Sequence, residues 1–192
     1  MSLTPVFKIG VWNAWIFMSV FLLQMLIIMF VDKRAWERSH IPGEARRNTL
    51  ERYMGLMGNM IWFVALGYSV FLPFKLGSVW FYIGLSVFVM GLTLLAIATF
   101  NFIAAPPDQL MTKGAYRFSR HPMYVATFFL CLGSGIASAS WLFLLLSVIM
   151  AFCLYQEALI EERFCWNRYG RAYQEYMSRS PRWIGVPKRH KK

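Results

Sequence analysis

Long apolar runs alternate with short polar segments along this chain, and the runs predict helices that cross a membrane. The first, about 10–31, has close to the twenty apolar residues that a bilayer core requires. Trp12 and Trp15 at its start suit an interfacial aromatic belt. A mixed-charge segment, 32–52, broken at Ile41-Pro42-Gly43, reads as a surface connection. A second run, 54–74, turns at Pro73, Lys75 and Gly77 into a third, 78–102. Gly84 and Gly91 are seven apart on one face of that helix, a spacing that lets helices approach closely in lipid. Pro106-Pro107 stops it, because neither proline can donate a backbone bond. Pro122 is placed to be the first residue of a fourth helix, 123–137, which turns at Ser138 to Ser140 into a fifth, 141–159. Beyond it, Trp166, Tyr169, Tyr173 and Tyr176 recur every three or four residues with Arg163, Arg168, Arg171 and Arg179 between them. That pattern predicts an amphipathic helix lying at the membrane surface. The expected fold class is all-α: a polytopic helical membrane protein with about five transmembrane helices and a single membrane domain over 1–192.

Composition agrees with the pattern. Of 192 residues, 58% are apolar and only 15% charged, whereas soluble domains have about 45–50% apolar and 25% charged residues. The net charge of +11 would suit nucleic acid, but the cations cluster in segments flanking the apolar runs, where anionic head groups lie. Membrane lipids are therefore the expected partners, with no nucleic acid. Five spans put Lys8 and Lys75 on one side and every other Lys and Arg on the other. The positive-inside rule then places the amino terminus outside and the carboxyl terminus in the cytoplasm. The closing Lys188–Lys192 stretch reads as a head-group-binding tail. Cys131, Cys153 and Cys165 lack metal-ligand spacing, so neither disulfide nor metal is expected. No cleavable signal is evident before the first run.

Chemistry is expected in two dense polar segments, both on the cytoplasmic face. In Gly114–Tyr124, His121 precedes a proline and should lie on the loop side of the fourth helix. The unpaired N–H groups of that helix start make a place for an anion, where Arg120, His121 and the hydroxyls of Tyr116 and Tyr124 could converge. In the second segment, Glu157 and Glu161 share a helical face at the bilayer edge, where a carboxylate is costly and marks a function. Glu162, one residue on, is expected to point elsewhere, into solvent. The chain has no P-loop, no GxGxxG, no HExxH and no Gly-x-Ser-x-Gly.

The pattern Gly114-x-Tyr116-x-x-x-Arg120-His121-Pro122-x-Tyr124, followed by Glu161-Glu162, Tyr169-Gly170-x-x-Tyr173-x-x-Tyr176 and Pro181-Arg182, resembles the isoprenylcysteine carboxyl methyltransferase family. Similar Arg-His-Pro-x-Tyr segments occur in phospholipid methyltransferases and membrane sterol reductases. The resemblance covers the carboxyl-terminal half and implies that residues 104–192 form the catalytic part. It further implies S-adenosylmethionine as cofactor, bound by Gln109, Leu110, Met111, Tyr116, His121, Pro122, Met123, Tyr124 and Glu161. The expected catalytic residues are His121, Arg120 and Glu157, the last standing where eukaryotic members of the family carry arginine. The implied substrate is a prenylated cysteine, or a similar lipophilic carboxylate, entering from the membrane. A carboxylate is already ionised at neutral pH and needs no general base. A lipid amine, the alternative acceptor, must first lose a proton, with Glu157 or His121 as base. An NADPH-dependent reductase and a non-enzymatic scaffold or small transporter are the remaining readings.

Overall fold

The computed structural model describes residues 7–31, 33, 36, 48–106 and 109–187. The Ile41-Pro42-Gly43 break, Pro107 and the Lys188–Lys192 tail lie outside the described residues. Among the described residues six α-helices are bounded: α1 (Trp15–Val31), α2 (Thr49–Val70), α3 (Val79–Ala104), α4 (Pro122–Ala137), α5 (Trp141–Tyr169) and α6 (Arg171–Arg179). A 3-10 turn, Gly114–Arg117, lies between α3 and α4. Among the described residues there is no strand, only a single bridge between Asn13 and Pro73. The protein is thus a polytopic helical membrane protein. α2, α3 and α5 are long and apolar enough to cross a bilayer, while α1 and α4 are shorter apolar helices. Large apolar side chains such as Leu23, Phe30, Met60, Phe63, Met90 and Phe100 remain exposed on the outside, where lipid would cover them.

α3 and α4 share the most extensive contact. Small residues allow it. A Cβ on Gly84 would overlap the backbone of Ala137, and one on Gly133 would come within 2.6 Å of the Phe88 nitrogen. A Cβ on Gly91 would lie 2.9 Å from that of Phe129. The core on this seam is aliphatic and aromatic: Phe17 stacks on Phe88, with Leu95, Ala126, Leu130 and Phe143 buried around them.

One end of the bundle is closed by backbone bonds. The first span begins five residues later than its hydropathy suggests, because the residues before Trp15 are non-helical and pair with the α2–α3 turn. The amide of Ala14 donates to Leu72 (2.8 Å) and that of Phe74 to Trp12 (3.0 Å). The buried Asn13 amide donates to the carbonyls of Lys8 (2.6 Å) and Val70 (2.7 Å), closing the carboxyl end of α2. Lys75 reaches the last carbonyl of α4, and Ser140 caps α5 by accepting from Phe143. The first-turn caps Asn48 and Ser78 do the same for α2 and α3.

The carboxyl-terminal region differs from its expected form. α5 does not stop at 159; its 29 residues reach about 44 Å, well past a bilayer core of about 30 Å. Gly170, at φ 53° and ψ −122°, breaks the helix, and α6 turns back. The expected surface helix is therefore two pieces. Trp166 stays exposed, but Tyr173 and Tyr176 are buried against protein instead of facing lipid, and the Tyr176 hydroxyl donates to the Tyr116 carbonyl at 2.7 Å.

Candidate active site

The opposite end of the bundle gathers both polar segments. Gly114 starts the 3-10 turn at φ 61°, where a Cβ would collide with the Asn101 side chain. That approach lets Asn101 Oδ1 accept from the Ala115 amide at 2.8 Å, so the loop is fastened to the end of α3. Tyr116 then packs into a buried cluster with Phe102 and Ile28, joined by Met111 and Met123. The chain continues to His121, which caps α4 from an extended φ of −126°, with Pro122 as the first helical residue.

His121 is buried between two adjacent glutamates of α5. Its Nδ1 lies 3.3 Å from Glu161 Oε2 and its Nε2 lies 3.2 Å from Glu162 Oε1. Tyr124 stacks on the imidazole with centroids 5.3 Å apart, and its hydroxyl donates to Glu161 Oε2 at 3.0 Å. Glu161 is about one-third exposed, and its Oε1 has no partner among the described residues. Burial acts to lower the basicity of His121, but its bonds to Glu161 and Glu162 outweigh that and raise its pKa above the ordinary 6.5. Folding therefore shifts the ring's balance toward the imidazolium relative to the unfolded chain.

Glu162 is not solvated, contrary to expectation; its side chain is 8% exposed and accepts from three cationic groups. Arg182 holds it in two bonds, Nε to Oε1 at 2.9 Å and NH2 to Oε2 at 2.8 Å. Arg120 adds a third contact at 3.0 Å. The reason is helical geometry: Glu162 follows Ala158, fully buried, by one turn and shares its inward face. Such a charge can be buried only because it is paired. Arg120 also donates to the Met177 carbonyl, so this expected catalytic residue is engaged in joining elements together.

Arg182 belongs to a short segment, 181–185, that lies along the loop before α4. The Arg120 amide donates to the Pro181 carbonyl (2.9 Å), the Gly185 amide to Phe118 (3.0 Å) and the Ser119 hydroxyl to Arg182 (3.2 Å). Trp183 is thereby laid against His121 and Tyr155, at 6.0 and 6.2 Å between ring centroids. The Arg182 guanidinium sits 5.7 Å from the Tyr155 ring.

The structure thus brings Tyr124, His121 and Glu161 into one hydrogen-bonded group, with Pro122 buried beside them. Met111, Tyr116 and Met123 form the adjoining apolar cluster. Glu157 is half-buried and near enough to Tyr124 for its charge to be felt there. Gln109 is exposed and Leu110 half-buried; neither takes part in this group. Trp183 and Tyr155 were not singled out from the sequence; Glu162 was read as solvated, and Arg182 entered only through the family pattern, with no role at the site. The signal available for Glu162 and Arg182 was the Pro181-Arg182 pair, which needed an acid partner.

A bundle of membrane helices carrying a polar cluster at one end defines the class, an integral membrane protein with its chemistry at the surface. The family model for phospholipid methyltransferases matches residues 74–172, and the chain belongs to that family. No curated protein matches it. The protein is accordingly a membrane methyltransferase, which displaces the reductase and non-enzymatic readings. Methylation of an isoprenylcysteine carboxylate is a narrower reading than the family supplies, and members of the family generally use S-adenosylmethionine.

Proposed function

We propose that this enzyme transfers a methyl group from S-adenosylmethionine to the head group of a membrane lipid, and that the accepting atom is an amine nitrogen. The observation that carries this reading is the group of acids around His121 and Tyr124, whose nearest arginines are both engaged by Glu162. Such a surface suits a cation better than an anionic acceptor. Glu157 and Glu161 on α5 would meet the ammonium charge, and His121 or Glu157 would take its proton.

The donor set fits the cofactor. Glu161 Oε1 can accept from ribose hydroxyls, while the stacked rings of His121 and Tyr124 and the nearby carboxylates tolerate a sulfonium. Met111, Tyr116, Pro122 and Met123 would supply the apolar side of the same site, and the Gln109–Met111 backbone its outer edge. When bound, S-adenosylmethionine supplies a methyl group activated by its positive sulfur. The protein's own work is to align the acceptor, exclude water and accept the proton. Arg120 has a positioning role here, through Glu162. The lipid tail enters between helices from the bilayer, and the charge asymmetry of the loops supports a cytoplasmic position for this end of the bundle.

The second reading, methylation of a lipid-linked carboxylate, is favoured by the Gly114–Tyr124 and Glu161-Glu162 pattern. One experiment separates the two. Detergent-purified protein is assayed for radiolabelled methyl transfer to phosphatidylethanolamine and to farnesylated acetylcysteine. Label in the first supports the amine; base-labile label in the second alone overturns it. In the same preparation, Glu161→Gln should weaken S-adenosylhomocysteine binding more than about tenfold, the loss of one charged hydrogen bond of about 1.5–3 kcal/mol. Unchanged affinity by calorimetry would remove Glu161 from the cofactor site.

A further inference from the structure

His121 touches both glutamates, but the two differ. Glu161 is partly exposed, keeps a free oxygen and shares its other oxygen with the Tyr124 hydroxyl. Glu162 is buried, and its two oxygens are held by Arg182 and Arg120. A carboxylate gripped in this way cannot turn aside. Its Oε1 is aimed at Nε2 of His121, and an ionised carboxylate only accepts hydrogen bonds. The Nε2 position must therefore carry hydrogen in either charge state of the ring. The Nδ1 position faces the partly open side, where Glu161 can swing toward a ligand.

We infer that Glu162 is a positioning residue, not a cofactor ligand: clamped by Arg120 and Arg182, it holds a proton on Nε2 of His121 and leaves Nδ1 as the nitrogen that exchanges a proton on the substrate side. This rests on the amine reading above for the source of the proton. There, an ammonium N–H bond breaks, its electron pair stays on the amine nitrogen, and the proton forms an Nδ1–H bond. The positive charge passes from the ammonium to the imidazole, where Glu161 faces it. Charge balance helps. The pair Arg120 and Arg182 offsets the pair Glu161 and Glu162, so the proton on Nδ1 is the net charge of the cluster. The other group facing the ring is Tyr124, with Glu157 acting through it, and the Trp183 indole screens one flank from water. The segment 181–185 is then part of the active site, because Arg182 is half of the clamp.

Two measurements test this. The protein has three histidines, so replacing His40 and His190 by Gln leaves His121 alone for nitrogen-15 labelling. In detergent micelles at a pH above its titration, the neutral ring should show protonated Nε2 and bare Nδ1. The opposite tautomer in the otherwise unsubstituted protein overturns the assignment. Glu162→Gln keeps an acceptor for Nε2 but removes the charge. The acid limb of the pH–rate profile should move to lower pH and turnover should fall about 10- to 100-fold, less than the full contribution of a general base. Affinity for S-adenosylhomocysteine should stay within about twofold of the parent, well short of the tenfold expected of a lost ligand bond. A profile that stays in place, or a cofactor affinity that falls with turnover, also overturns the proposal. If Glu162→Gln does not fold, the tautomer alone decides. Should phosphatidylethanolamine go unmethylated while Nε2 carries the proton, the acceptor reading falls and the role of Glu162 stands.

Discussion

The two ends of this bundle solve the same problem by opposite means. Both gather helix termini whose backbone groups lack partners within the helix. At the Asn13 end, those groups are met by neutral donors and acceptors: the Asn13 amide, the Ser140 hydroxyl and chain-to-chain bonds of 2.8–3.0 Å. At the His121 end, backbone bonds such as those from Arg120 to Pro181 and from Gly185 to Phe118 are joined by a buried carboxylate, two arginines and an imidazole. A neutral closure is sufficient to hold helices together, as the first end demonstrates. Burying charge is costly and often adds no net stability. The second end therefore reads as built for chemistry, with stability a secondary return.

The largest expected effect comes from breaking the charged end. Glu162→Ala leaves the nearly buried Arg120 and the half-buried Arg182 without their acid and should cost about 3 kcal/mol. Replacing all three at once, Glu162→Leu with Arg120→Met and Arg182→Met, should recover most of that stability while leaving the enzyme inactive. Thermal unfolding in detergent alongside a methyl-transfer assay reads both. A triple variant no more stable than the single one would mean that the cluster does hold the fold.

Breaking the neutral end should be milder and silent in catalysis. Asn13→Ala removes two hydrogen bonds from a buried amide and leaves the Val70 carbonyl unmet, a loss of about 1–3 kcal/mol. Turnover per folded molecule should match the parent. A drop in turnover at unchanged folded fraction would show that the two ends are coupled.

The smallest effect is that of pH, and it should be confined to one end. The folded state raises the pKa of His121, so its contribution to stability is fully present below 6.5 and is lost as pH rises through the higher folded value. Proton acceptance by Nδ1 requires the opposite condition, so activity should rise over the range in which this stabilisation fades. Hydrogen exchange should quicken near 119–121 between pH 6 and pH 9 relative to the amides of Ala14 and Phe74, after correction for the intrinsic rate. Equal quickening at both ends would detach the effect from His121.

Much of the helical frame was legible in the sequence. Apolar runs and local punctuation mark it: Pro122 at the start of α4, the Ser138–Ser140 turn between α4 and α5, Gly84 and Gly91 at the close seam. These signals lie within a few residues of the feature that they specify. What eluded the sequence depends on partners far along the chain. Residues 10–14 look like membrane helix until the α2–α3 turn offers them backbone bonds. Tyr173 and Tyr176 look lipid-facing until α6 folds back at Gly170 onto the loop before α4. Glu162 looks like the solvated neighbour of Glu161 because its two arginines come from different segments, one before α4 and one after α6.

The contact between Ser119 and Arg182 spans 63 positions, and that distance sets an order of events during biosynthesis. A ribosome releases the loop before α4 long before the segment that must lie beside it. At the moment when all five apolar helices have entered the bilayer, the anchor is complete, but Glu162 has only one of its arginines and His121 lacks the cover of Trp183. Catalytic competence arrives afterwards, with a stretch that inserts into nothing. A protease that cut between Ser180 and Pro181 would reverse that last step alone, leaving an intact membrane protein with an idle active site.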